Sequence, residues 1–237
     1  MQRILGTMRR AVTDYNMIGE GDAIALGISG GKDSLALLVG LARMREFFGA
    51  KYRLVALSVD PCFGGNPADY TAVTALCESL GVPHVIRRSN LWEILFVTRK
   101  EHSPCSLCAR MRRGMLHDMA IQAGCNKIAL GHHKDDAVET FVMNLFYEGR
   151  VGCFSPVSYL SRKDLTMIRP LCLCSERDII SAVRALELPV MGKTCPVDGA
   201  TMRQKTKQWL ISMEKGDYPG ITKRMFGAMR RGNISNW

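Results

Sequence analysis

No apolar run in this 237-residue chain approaches the roughly 20 residues that a membrane-spanning helix needs. Residues 1–22 carry Arg3, Arg9 and Arg10 but no continuous apolar core, so they do not read as a secretion signal. Internal repeats, low-complexity tracts and long Gly/Ser linkers are also missing, which argues against repeat arrays and disordered chains. Hydrophobic residues at 47% and charged residues at 23% are ordinary for a globular fold. The expectation is a cytoplasmic protein with one substantial core and no membrane partner.

Acidic residues are also scarce. Asp and Glu number 22 against 32 Lys and Arg, giving a formal charge of +10. Such an excess suits a polyanionic partner such as RNA. It is uneven, because Thr201–Trp237 holds eight basic residues and two acids, or +6 of the total. Nine cysteines, odd in number and irregularly spaced, do not form a secreted disulfide framework. In a reducing compartment a close pair of them reads as metal-binding or catalytic.

Strand and helix patterns alternate along the chain. Short apolar runs at Asp22–Ser29, Arg53–Val59, His84–Ile86, Lys127–Leu130 and Met167–Pro170 read as strands. Helical patterns fall at 33–47, 68–80, 106–123, 134–147 and 176–186, with one or two helices beyond Thr201. Regular alternation predicts an α/β fold, a parallel sheet with helices on both faces. Ligands then sit at the carboxyl ends of the strands. The division expected is an N-terminal helical segment (1–21), a nucleotide-binding domain (22–194) and a basic helical segment (195–237).

Ser29-Gly30-Gly31-Lys32-Asp33-Ser34 lies directly between a strand and a helix. Its glycines let backbone amides approach phosphate oxygens, Ser29 and Ser34 add hydroxyls, Lys32 a cation, and the helix N-terminus its positive end. Asp33 is suited to capping that helix or to holding Mg²⁺. The spacing is not GxxxxGK[ST]. It resembles instead the pyrophosphate loop of N-type ATP pyrophosphatases, which implies cleavage of ATP between the α- and β-phosphates and an adenylated carbonyl.

Cys105-Ser-Leu-Cys108 opens a helix continuing to Arg112 and Arg113. Taken alone, this CxxC pair fits zinc, dithiol redox chemistry or an iron–sulfur site. Cys195, about ninety residues on, supplies a third thiol, enough for three irons of a [4Fe–4S] cluster with the fourth open to a non-protein sulfur. A zinc Cys₄ site would need Cys172 or Cys174 as its fourth ligand. Gly131-His132-His133-Lys134-Asp135-Asp136 follows the fourth strand and opens a helix, aiming its side chains at the same strand ends. Asp136 is the candidate carboxylate for Mg²⁺ or proton transfer, and Asp135 reads equally well as a cap. Arg112 is the candidate to neutralise charge at a transferring phosphoryl group.

Together Ser29–Ser34, Cys105–Arg113, Gly131–Asp136 and the Cys195 loop resemble the tRNA 2-thiocytidine synthetase family, with similarity running from about residue 22 to the end. The resemblance implies ATP and Mg²⁺ at Ser29–Ser34, Gly131 and His132, a [4Fe–4S] cluster on Cys105, Cys108 and Cys195, and catalysis by Lys32, Arg112 and Asp136. It also implies a tRNA substrate, thiolation of cytidine, and a persulfide carrier or sulfide as sulfur donor. A homodimer is compatible with it. Asp60, closing the second strand, falls where this fold receives the nucleoside half of ATP. The rival readings are an amide or thioamide ligase acting on a small molecule, and a non-catalytic iron–sulfur or zinc RNA-binding protein.

Overall fold

Alternate residues of the central strands point to opposite faces, and two separate cores divide them with that period of two. In the computed structural model, which describes residues 1–99, 104–192, 195 and 201–237, β1 (Ala23–Gly27), β2 (Arg53–Asp60) and β4 (Lys127–Ala129) are almost wholly buried. Ile24, Leu26, Leu54, Ala56 and Ala129 face one core, while Ala23, Ala25, Val55, Leu57, Val59 and Ile128 face a second. Strands buried on both sides need helices on both sides, as the sequence implies.

The sheet order is β3-β2-β1-β4-β6-β5, with β3 at His84–Arg88, β5 at Val157–Leu160 and β6 at Leu165–Ile168. Five strands run parallel. The sixth, β5, pairs antiparallel with β6, a departure from the all-parallel expectation. The 157–160 run is only half-buried, so no continuous apolar stretch marks it in the sequence.

Helix α4 (Pro104–Gln122) covers the smaller core. The larger core takes α1 (Gln2–Asp14), α2 (Lys32–Met44), α3 (Thr71–Ser79), α5 (Lys134–Tyr147) and α6 (Glu176–Ala185). It also takes residues of α7 (Met202–Lys215) and α8 (Ile221–Arg231), and Trp237. A π-helical segment, Glu93–Thr98, precedes α4. Among the described residues no helix is long and apolar enough to cross a membrane.

The chain runs outward from β1 to β2 and β3, then returns to place β4 on the other side of β1. That reversal opens a crevice between the carboxyl ends of β1 and β4. The two loops singled out in the sequence leave these two ends.

Candidate active site

The loop after β1 is organised by its own hydroxyls. Ser34 Oγ accepts from the Ser29 amide at 3.2 Å and donates to Gly31 O at 2.8 Å. The Gly31 amide donates to Ser29 Oγ at 3.3 Å. Gly30 has φ +77°, and a methyl there would overlap Met191 Sδ, so glycine is required at that turn. The N-cap of α2 is Gly31, which has no side-chain cap, so the first-turn amides remain available to an anion.

Gly131-His132-His133-Lys134-Asp135-Asp136 leaves β4 and packs against this loop. A Cβ on Gly131 would lie 3.0 Å from Asp33 C and O, so the two loops touch through backbone. His133 and Asp136 form a capping box: the His133 amide donates to Asp136 Oδ2 at 2.9 Å, and the Asp136 amide donates to His133 Nδ1 at 3.3 Å. Asp136 thus both caps α5 and lines the crevice. Asp135 accepts from the Glu176 amide at 2.8 Å, so its capping role serves α6 instead.

The crevice has a volume of about 580 Å³. Ser29, Asp33, Ser34, Gly131, His132 and Asp136 line it, and so do four arginines: Arg112 and Arg113 from α4, Arg169 beyond β6, and Arg203 from α7. Arginine therefore outnumbers acid on its walls, as a polyphosphate site requires. His132 is half-buried against Phe154, ring centres 5.0 Å apart. Burial first, then the Arg169 charge, brings its imidazole pKa down to about 4, so it is neutral at neutral pH.

Lys32 lies beside this crevice rather than among its lining residues. Its Nζ bonds Asp33 at 2.8 and 3.0 Å and Glu176 at 3.0 Å. Burial pulls its pKa down, but those two acids outweigh it and hold the ammonium above its usual value. Asp60 is buried, and its carboxylate accepts from the Cys62 and Ala68 amides, each at 2.9 Å. It shapes the loop after β2 and is not among the residues lining the crevice.

The basic tail is partly engaged in docking. Arg203 donates to Glu139 at 3.3 Å and Thr140 at 3.1 Å, and Lys207 binds Glu176 at 2.6 Å. Glu176, Arg113 and Arg169 were not singled out by sequence reasoning. Arg169 had a signal available, since it directly follows a strand whose carboxyl end faces the crevice.

Cys105 and Cys108 stand on the first turns of α4, just past undescribed residues 100–103, and Cys195 lies between undescribed neighbours. Burial raises the Cys108 thiol pKa, Arg112 opposes this, and the nearby Cys195 and Cys105 add to it. The Cys108 thiol therefore feels both of the other two. Among the described residues, however, no three His, Cys, Asp or Glu side chains close on a common metal position. Cys172 and Cys174 are core residues at 0% and 2% exposure, with thiols pushed up to about 12 by burial. Both are poor candidates for the fourth ligand of a zinc site.

A PP-loop domain model matches residues 6–191. The tRNA-cytidine(32) 2-sulfurtransferase of Geobacter sulfurreducens is 36% identical over 98% of this chain and 90% of its own length. That of Dechloromonas aromatica is 36% identical over 95% of this chain and 78% of its own. Among solved structures, U34-tRNA thiolase NcsA from Methanococcus maripaludis, which carries a [4Fe-4S] cluster, superposes with a TM-score of 0.78 at 24% identity. The match covers 96% of this chain and 78% of the thiolase. NH3-dependent NAD synthetase from Campylobacter jejuni shares the fold more distantly, with a TM-score of 0.51 at 16% identity over 100% of this chain and 96% of its own. Two facing loops at a β1/β4 crevice, together with end-to-end sequence similarity, place this chain in the PP-loop family, among the tRNA-cytidine(32) 2-sulfurtransferases.

Proposed function

We propose that this protein thiolates a tRNA cytidine in the cytoplasm, exchanging its 2-oxygen for sulfur through an adenylated carbonyl. The observation that carries the reading is the crevice at the β1 and β4 ends. It sets uncapped α2 amides on one side, Asp136 on the other and four arginines around them. The Ser29–Ser34 amides and hydroxyls bind the ATP phosphates. Asp33 and Asp136 are suited to hold Mg²⁺ against them. Arg112 neutralises charge as the cytidine O2 attacks the α-phosphorus and the α–β anhydride bond breaks, releasing pyrophosphate. Hydrosulfide, supplied as such or released from a persulfide carrier by a two-electron dithiol reductant, then adds at C2; Asp136 takes its S–H proton, and the C–O bond breaks with its electron pair leaving on AMP.

Cys105, Cys108 and Cys195 suit a [4Fe–4S] cluster by the chemistry of their donor set: Cys195 and Cys105 both act on the Cys108 thiol, while Cys172 and Cys174 are withheld in the core. When bound, such a cluster supplies an iron without a protein ligand, where a sulfur can be presented. Residues 195–237 form the RNA-facing segment, using the tail cations not engaged in docking.

The test is product analysis with tRNA, ATP and Mg²⁺. AMP and pyrophosphate should appear in step with thiolation, and Lys32→Ala and Asp136→Ala should abolish both. Because Asp136 also caps α5, Asp136→Asn serves as the control that keeps the cap. ADP and phosphate as products would overturn the reading.

A further inference from the structure

Arg169 is a buried cation with no carboxylate partner among the described residues. It is 7% exposed and follows β6, whose carboxyl end opens on the crevice. Its guanidinium donates to Ser155 O at 2.5 Å, to Ser158 Oγ at 3.4 Å and to Met167 Sδ at 3.1 Å. Its central carbon lies 4.9 Å from the centre of the Phe154 ring. All of these partners are neutral, and no carboxylate pairs with it among the described residues. Nε is buried with no hydrogen-bond partner at all.

A buried cation without a counter-ion is unfavourable, and proteins ordinarily pair it or replace it with an apolar group. This one instead stands where the Ser29–Ser34 loop, His132 and Arg113 meet. Burial brings the Arg169 pKa down to about 10; the nearby Cys153 and Cys172 thiols oppose that shift, and the Arg113 charge adds to it. His132, neutral at neutral pH, supplies no counter-charge either. The missing counter-charge must therefore come from the ligand.

We propose that Arg169 is a phosphate-binding residue, which receives the pyrophosphate portion of the nucleotide opposite the Ser29–Ser34 loop. The proposal rests on the nucleotide reading of the crevice and deepens it. Charge on the departing pyrophosphate grows as the α–β bond breaks, so a fixed guanidinium there favours the transition state over bound ATP. Phe154 and the Ser155 carbonyl hold the guanidinium in place before the ligand arrives.

The experiment is calorimetric titration of the purified protein with inorganic pyrophosphate and Mg²⁺, alongside thermal melting. Wild type should bind. Arg169→Met should weaken binding about tenfold to a hundredfold, the range expected for losing a charged hydrogen bond. Arg169→Gln keeps a donor for Ser155 O while removing the charge. It should melt close to wild type yet show the same loss of affinity, which decides the matter if the Met variant does not fold. Arg169→Lys should recover part of the binding. Wild-type pyrophosphate affinity in the Gln variant would overturn the assignment, leaving Arg169 a purely structural anchor. Absence of pyrophosphate binding in wild type would instead remove the nucleotide reading itself.

Discussion

Lys207 Nζ lies 2.6 Å from both carboxylate oxygens of Glu176, joining the basic tail helix to the start of α6. The same carboxylate takes Lys32 of the phosphate loop at 3.0 Å. Burial pushes the Glu176 carboxyl up, but the two ammonium groups outweigh it and hold it below its ordinary value. Were a bound nucleotide to draw Lys32 away, Glu176 would be left wholly to Lys207, and phosphate binding and tail docking would be linked through one side chain.

Glu176→Gln should therefore loosen both attachments. With both partners part-exposed, the loss is about 1 kcal/mol, or a melting temperature lower by roughly 2–4 °C. Amide exchange along α7 should quicken, and the KM for ATP should rise. Unchanged exchange in α7 together with an unchanged KM would show that the bridge couples nothing.

Gly131 carries a steric prediction. A methyl there meets the Asp33 backbone, 3.0 Å away at C and O, and Ser34 N at 3.2 Å. Backbone cannot rotate aside as a side chain can, so the phosphate loop itself must shift. Gly131→Ala should cost roughly 1–3 kcal/mol of stability. It should also weaken ATP and pyrophosphate binding, while leaving RNA binding by the tail nearly intact. A variant with wild-type nucleotide affinity would mean that the two loops are not held in register by this contact.

Much of this crevice was legible in the sequence because both loops carry their chemistry locally. Strand, glycine or histidine turn, and helix follow one another without interruption at Ile28–Ser34 and Leu130–Asp136. What was not legible depends on long-range contacts. Glu176 reads as an ordinary helix start, and only the packing of α6 against the loop and α7 brings Lys32 and Lys207 to it. Arg169 looks like the polar end of a strand until its neighbours prove to be neutral. The assignment of caps between two adjacent acids was equally out of reach, since Asp135 reaches across to α6 while Asp136 closes its own helix. β5 was missed for a different reason, being a half-buried edge strand without a continuous apolar run.

His132 supplies a pH signature. Its folded pKa of about 4 lies below the ordinary value of 6.5, so the unfolded chain binds the proton more readily. The resulting stability is fully present above about pH 6.5 and is lost as pH falls from there toward 4. The loss is at most roughly 3 kcal/mol. His132→Gln should flatten that part of the stability profile relative to wild type, when both are followed by denaturant unfolding across pH 4–7. Parallel profiles would mean that the imidazole is charged or solvated in the folded protein.

The cysteines give the prediction with most to lose. If Cys105, Cys108 and Cys195 hold a [4Fe–4S] cluster, anaerobically purified protein should contain about four irons and show broad visible absorption. Changing any one of the three to Ser should lower iron, absorption and tRNA thiolation together. Cys172→Ser and Cys174→Ser separate ligation from folding, because both thiols sit in the larger core and are almost wholly enclosed. A hydroxyl there lacks the sulfur's packing and needs a hydrogen-bond partner, so these variants should melt earlier yet keep their iron. Their thiolation should persist below the melting transition. Retained iron in Cys195→Ser would remove that residue from the ligand set. A colourless, air-stable wild type with stoichiometric zinc would end the cluster assignment, and loss of that zinc in Cys172→Ser or Cys174→Ser would mean that a core thiol turns outward to complete a four-cysteine site.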